Sequence, residues 1–215
     1  MNKKALLILL SAAILVIGSA LGTMAYLTDL ESVTNTFTVG RVDISLWEYI
    51  PGTTNKTTEG NQYDDIVPGG EYDKNPTVTI KAGSESAYVR MFVTITDCAD
   101  MDKVFSELQT PVTKVIDINA NWLLKNNTKD LAGSDTRTYE FWYNTATTKS
   151  ESEQDLPALF TGINVPGEIN NAQLASIDNF KIHIVAQAVQ ADGFDTADEA
   201  FAAAPMANAD LIPQE

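Results

Sequence analysis

Phe180-Lys181-Ile182-His183-Ile184-Val185-Ala186-Gln187-Ala188 is the longest alternating run in the chain. Phe180, Ile182, Ile184, Ala186 and Ala188 share one face and Lys181 and His183 lie opposite, the period of two that a half-buried strand requires. Other segments repeat the signal. Ala87 to Thr96 sets Val89, Met91, Val93 and Ile95 against Tyr88 and Phe92. Apolar residues on both faces predict a central strand. Val42, Ile44 and Leu46 alternate with Asp43, Ser45 and Trp47, and Val78, Ile80 and Ala82 alternate with Thr77, Thr79 and Lys81. Tyr139, Phe141 and Tyr143 put three aromatics on one face of Thr138 to Tyr143. These runs are rich in Thr, Val, Ile and aromatic residues, which fit a pleated surface, so the protein is read as mostly β.

Turn chemistry separates the runs. Pro51-Gly52, Pro68-Gly69-Gly70 and Pro166-Gly167 are firm breakers. Thr53 to Asp65 and Thr145 to Gln154 are polar and predict exposed loops. Helices are the minority. Met101, Val104, Phe105 and Leu108 make one apolar stripe at helical spacing, with Asp100 as the expected cap. Thr196 and Glu199 have capping-box spacing before Ala200-Phe201-Ala202, and Pro205 stops that helix. A short helical turn is expected around Asn171 to Ile177, and residues 206–215 read as a flexible tail.

The first residues read as an export leader. Lys3 and Lys4 precede an apolar stretch from Ala5 to Gly18, and Thr23-Met24-Ala25 forms a small-x-Ala cleavage site. The run is shorter than the ~20 apolar residues of a spanning helix, which favours cleavage, between Ala25 and Tyr26, over retention as an anchor. The expected organisation is a leader at 1–25, an N-terminal segment at 26–40, one domain at 41–205 and the tail. Removing the leader takes away two lysines and no acid, so the net charge moves from −15 to −17. That surface repels phosphate backbones and anionic lipid, excluding nucleic acid as a partner and confining membrane contact to export. Cys98 is the single cysteine, so no intrachain disulfide forms; a small buried thiol is the favoured reading.

The stretch after the leader carries a family resemblance. Gly22-Thr23-Met24-Ala25-Tyr26-Leu27-Thr28-Asp29, Asn35-Thr36-Phe37-Thr38-Val39-Gly40 and Val42-Asp43-Ile44-Ser45-Leu46 resemble the TasA/camelysin family of Gram-positive bacteria. Further similarity sits at Ile66-Val67-Pro68-Gly69, at Val78-Thr79-Ile80 with Ala87-Tyr88-Val89-Arg90, and at Ala188-Val189-Gln190-Ala191-Asp192-Gly193-Phe194. The middle, about Asp100 to Asn179, is more generic. The resemblance implies a jelly-roll-like antiparallel β-sandwich with a few short helices, exported unfolded and processed by a SipW-type signal peptidase. It also implies that the freed N-terminus completes a sheet in the next copy, building cell-surface or biofilm-matrix fibres with itself and related matrix proteins. The donor residues would be Leu27, Leu30, Val33, Phe37, Val39 and Gly40. Their physics agrees: Phe37 and Val39 alternate with Thr36 and Thr38, suiting an extended chain that pairs with an exposed sheet edge. An ordinary first strand within the same subunit remains the competing reading.

Chemistry-bearing constellations are sparse. Zinc hydrolysis of the camelysin kind needs clustered histidines, and the chain has one, His183, with no H-E-x-x-H and no G-x-S-x-G. No catalytic residues are assigned, and a secreted metalloprotease stays a minor alternative. Calcium is a weak candidate cofactor: Asp192, Asp195, Asp198 and Glu199 cluster around a Gly-containing turn, as Asp64, Asp65, Glu71 and Asp73 flank Pro68-Gly69-Gly70, without EF-hand spacing. Helix capping explains Asp195 to Glu199 better. Trp47, Trp122 and Trp142 are read as core aromatics rather than a sugar platform. The leading expectation is a secreted, non-enzymatic fibre subunit. An accessory or adhesive surface protein that does not polymerise alone is the alternative.

Overall fold

The computed structural model describes residues 41–108, 116–129, 133–177 and 180–212. All of them fall in one of the chain's two compact units, Gly40–Glu215; the other, Met1–Val39, lies wholly outside the described residues.

The strands are β1 (Ile44–Tyr49), β2 (Lys56–Thr57), β3 (Glu71–Asp73), β4 (Thr77–Ile80), β5 (Ala87–Thr96), β6 (Trp122–Lys129), β7 (Thr136–Tyr143), β8 (Gln154–Asp155), β9 (Gly162–Asn164) and β10 (Ile182–Gln190). Four helices accompany them among the described residues: α1 (Cys98–Leu108), α2 (Asn171–Ala175), α3 (Ala197–Ala203) and α4 (Asn208–Leu211). A first sheet has the order β2-β1-β4-β8, a second β10-β5-β7-β6, and β3 pairs with β9 alone; every pairing is antiparallel. The fold is therefore mostly β, with a few short helices.

The two four-stranded sheets face each other across one core. Val78 and Ile80 from β4 meet Val89, Met91 and Val93 from β5, Trp122 from β6 and Phe141 from β7, all buried. The alternation read from the sequence maps onto this interior. Ile44 and Leu46 point inward while Trp47 lies on the outer side of its sheet, its indole donating to Thr79 Oγ1 at 2.7 Å. β5 is central, as expected, flanked by β10 and β7.

The helices cover exposed faces. In α1, Met101, Val104 and Phe105 of the predicted stripe are buried, together with Cys98, while Leu108 is only partly covered. Its start differs from expectation: Asp100 lies inside the first turn, and the Asp135 carboxylate accepts from Ala99 N (3.0 Å) instead. Sequence spacing shows only local caps, whereas this one is contributed from the other side of a chain reversal. Arg137 anchors the same helix through two bonds to Asp102 (2.9 and 2.8 Å). α2 carries a full capping box between Asn170 and Gln173.

Residues 206–212, read from the sequence as a flexible tail, are folded onto the outer face of the second sheet. Leu211 is buried against Phe92, with Met206, Ile212 and Val185 around it. Met206, Leu211 and Ile212 hold this stretch in place by covering Phe92 and Val185 on the face opposite the core. No helix among the described residues is long and apolar enough to cross a membrane.

Candidate strand-docking groove

A sandwich of open sheets has four edges, and the residues on each decide which can accept another strand. In the first sheet, β2 and β8 are edges of two residues each, too short to template a partner. β6 closes one side of the second sheet; it carries a register shift between Leu124 and Asn126 and the exposed Lys125, both devices that discourage pairing. β10 is different. It runs nine residues in unbroken register with β5, without Lys, Pro or Gly.

The direction of its backbone groups follows from the ends of the ladder. Thr96 N donates to Lys181 O (3.1 Å) and Ala191 N to Ser86 O (2.8 Å). Hydrogen-bonded pairs alternate along antiparallel strands, so the odd-numbered residues of β10 bond to β5. Ile182, Ile184, Ala186, Ala188 and Gln190 then turn their N–H and C=O outward, and no strand among the described residues meets them. Four of these side chains (Ile182, Ile184, Ala186 and Ala188) face the core. All nine β10 residues are only partly buried, whereas eight of the ten residues of neighbouring β5 are buried.

β1 repeats the pattern across the sandwich. Asp43 O accepts from Lys81 N (2.9 Å) on the β4 side, so Ile44 and Leu46 turn their backbone groups away from β4. β2 pairs only with Glu48 and Tyr49, leaving Ile44 to Trp47 without a second strand among the described residues. Ile44 and Leu46 are half-buried against the core. The two sheets thus end, on this side, in strands whose inward side chains lack full cover.

Between them runs a groove. One part, ≈ 250 Å³, lies among Leu46, Trp47, Glu48, Lys74, Ile182 and Ile184. A second part, ≈ 800 Å³, shares Glu59, Gly60, Lys74 and Ile182 and extends along Tyr63, Tyr72 and Ile163. At its floor Lys74 donates to Glu48 at 2.8 Å, both side chains 7% exposed. Tyr63 donates to Asp73 O (2.7 Å), and burial, reinforced by the Glu48 charge, pushes its hydroxyl up to about 12. His183 borders the groove, and burial holds its imidazole below the ordinary histidine value. The groove thus offers two rows of backbone groups that no strand among the described residues pairs with, apolar strips from both sheets and one neutralised ion pair.

The cleavage site Ala25/Tyr26 and the donor residues Leu27, Leu30, Val33, Phe37, Val39 and Gly40 lie outside the described residues. Of the calcium candidates, Glu199 is engaged locally: its carboxylate accepts from Asp195 N (2.9 Å), and Thr196 Oγ1 accepts from Glu199 N (3.2 Å) to cap α3. Among the described residues no three His, Cys, Asp or Glu side chains are placed to hold a metal together. The three tryptophans form no common platform. Trp47 sits outside the first sheet, Trp122 in the core and Trp142 against Phe201 outside the second. Cys98 is buried, with its thiol 3.6 Å from Ile95 O. Sequence reasoning missed the buried Lys74–Glu48 pair; Lys74 lies among polar neighbours and Glu48 between Trp47 and Tyr49, 26 positions away, so nothing local marks the two as partners.

No family model matches the chain, and it has no match among curated proteins or solved structures.

Proposed function

We propose that the chain is an exported structural subunit that assembles into extracellular fibres, the segment Tyr26 to Gly40 of one copy docking as a strand in the β1/β10 groove of the next. The observation that carries this reading is β10: a long, regular edge strand with outward-facing hydrogen-bonding groups, beside a groove lined by both sheets. Long unguarded edges promote aggregation, and a secreted protein that keeps one has a use for it. The leader-like start, the strongly acidic composition and the resemblance of the flanking motifs to the TasA/camelysin family support the same conclusion. On this reading the sandwich is of the jelly-roll kind, a SipW-type peptidase frees Tyr26, and the product resides at the cell surface or in the matrix.

The test is negative-stain electron microscopy of the chain beginning at Tyr26, at rising concentration, with and without calcium. Regular filaments that vanish when residues 26–40 are deleted are expected. Filaments that survive the deletion would sink strand donation. Single particles under every condition would make the chain an accessory or adhesive surface protein instead.

A further inference from the structure

The groove does not stop at Ile182. That residue also forms part of the wall of a separate cavity of ≈ 330 Å³, set between the inner face of the second sheet and β9. Val93, Trp122, Phe141, Phe160 and Ile163 supply much of its lining, and none of its wall residues is charged. Its few polar lining groups make hydrogen bonds elsewhere: Asn119 Oδ1 accepts from Asn121 N at 3.0 Å, Trp122 Nε1 donates to Pro157 O at 2.9 Å, and the Tyr139 hydroxyl accepts from Arg137 at 3.5 Å. Such a space holds water poorly, and one of about 150 Å³ already admits a benzene ring. It calls for an apolar, preferably aromatic, occupant.

We infer, on the premise of strand donation, that this cavity seats Phe37 of the neighbouring copy and thereby sets the register of the docked strand. The 26–40 segment can reach about 50 Å when extended, while the β10 edge spans about 30 Å. Chain length alone leaves the register undetermined. Val33, Asn35, Phe37 and Val39 share one face of the segment, and Phe37 is its only aromatic after Tyr26. A slip of one residue turns Thr36 and Thr38 inward. A slip of two residues in one direction brings Asn35, in place of a ring, to a cavity lined almost wholly by apolar side chains. Only the register that seats Phe37 fills the space with a ring and leaves the threonines outside.

The experiment uses the chain beginning at Tyr26 and measures the critical concentration for fibre assembly. Phe37→Ala raises it on the order of a hundredfold. Ile118→Trp, which fills the cavity from its wall, also raises it, but adds little once Phe37 is Ala. Additive effects of the two substitutions, or no effect of Phe37→Ala, overturn the inference while leaving strand donation standing. Loss of the dependence on residues 26–40 overturns strand donation itself. Because Ile118→Trp can disturb folding, a photo-crosslinking phenylalanine analogue at position 37 gives a second readout in mixed isotope-labelled fibres. Intermolecular crosslinks to peptides containing Trp122, Phe160 or Ile163 are expected. Crosslinks confined to other surfaces, or formed only within one chain, refute it.

Discussion

Replacing Ala186 with proline should block assembly while leaving the monomer folded, because of where its N–H points. Ala186 is one of the even-numbered β10 residues whose backbone faces away from β5. Proline there removes no bond of the existing ladder, and edge strands tolerate it when the missing N–H faces outward. The expected cost to the monomer is about 1 kcal/mol, from fixing φ near −65° in an extended strand. For a domain of this size that lowers Tm by roughly 2–4 °C. Val185→Pro is the control, since its N–H belongs to the pair with Phe92. It should cost about 3 kcal/mol or more and lower Tm by roughly 6–12 °C. Assembly reverses the ranking of consequence. A docked strand makes net bonds of about 0.5–1.5 kcal/mol each along the edge, and the proline ring removes one and pushes its neighbours apart. Losing about 2–4 kcal/mol raises the critical concentration roughly 30- to 1000-fold. The assay pairs calorimetry of the monomer with pelleting of fibres. An Ala186→Pro chain that assembles at the wild-type concentration would refute β10 as the receiving edge. A collapse of its Tm would refute the assignment of backbone directions.

Three further outcomes follow from other contacts. Lys74→Met should destabilise the fold by about 3–5 kcal/mol in urea titrations, because it strands the buried Glu48 carboxylate, and the double substitution with Glu48→Leu should recover most of that loss. His183 has its folded pKa lowered by burial from an ordinary 6.5, so the unfolded chain takes up the proton first. Its contribution is therefore complete above pH 6.5 and fades as pH falls toward the folded value; His183→Gln should flatten this part of the stability curve in melts from pH 7.5 to 5. Leu211→Ala should cost about 2–3 kcal/mol by uncovering Phe92 and Val185, visible as a lower Tm and faster proteolysis after Pro205.

The long strands were legible because alternation is a local property: Val89, Met91, Val93 and Ile95 face the core whichever strands lie beside them. The helices at 98–108 and 197–203 were legible for the same reason, from a stripe of apolar residues and a Thr196 cap. Pairing is not local. Nothing in Ile182 to Gln190 distinguishes an edge from a centre, because alternation reports which face of a strand is covered and not how many strands lie beside it. The α1 cap from Asp135 and the burial of Lys74 against Glu48 join residues 26 or more positions apart, a separation at which spacing rules carry no signal.

What the sequence by itself determined was composition and periodicity: an acidic chain with a single cysteine and a mostly β fold built from alternating runs. What only the tertiary structure decided was which strands pair among the described residues, which way the even-numbered backbone groups of β10 turn, and that the groove and cavity meet at Ile182. The physical reason is that a side chain's periodicity depends on its own strand, whereas an unsatisfied hydrogen bond or an unfilled space depends on what the rest of the chain leaves uncovered.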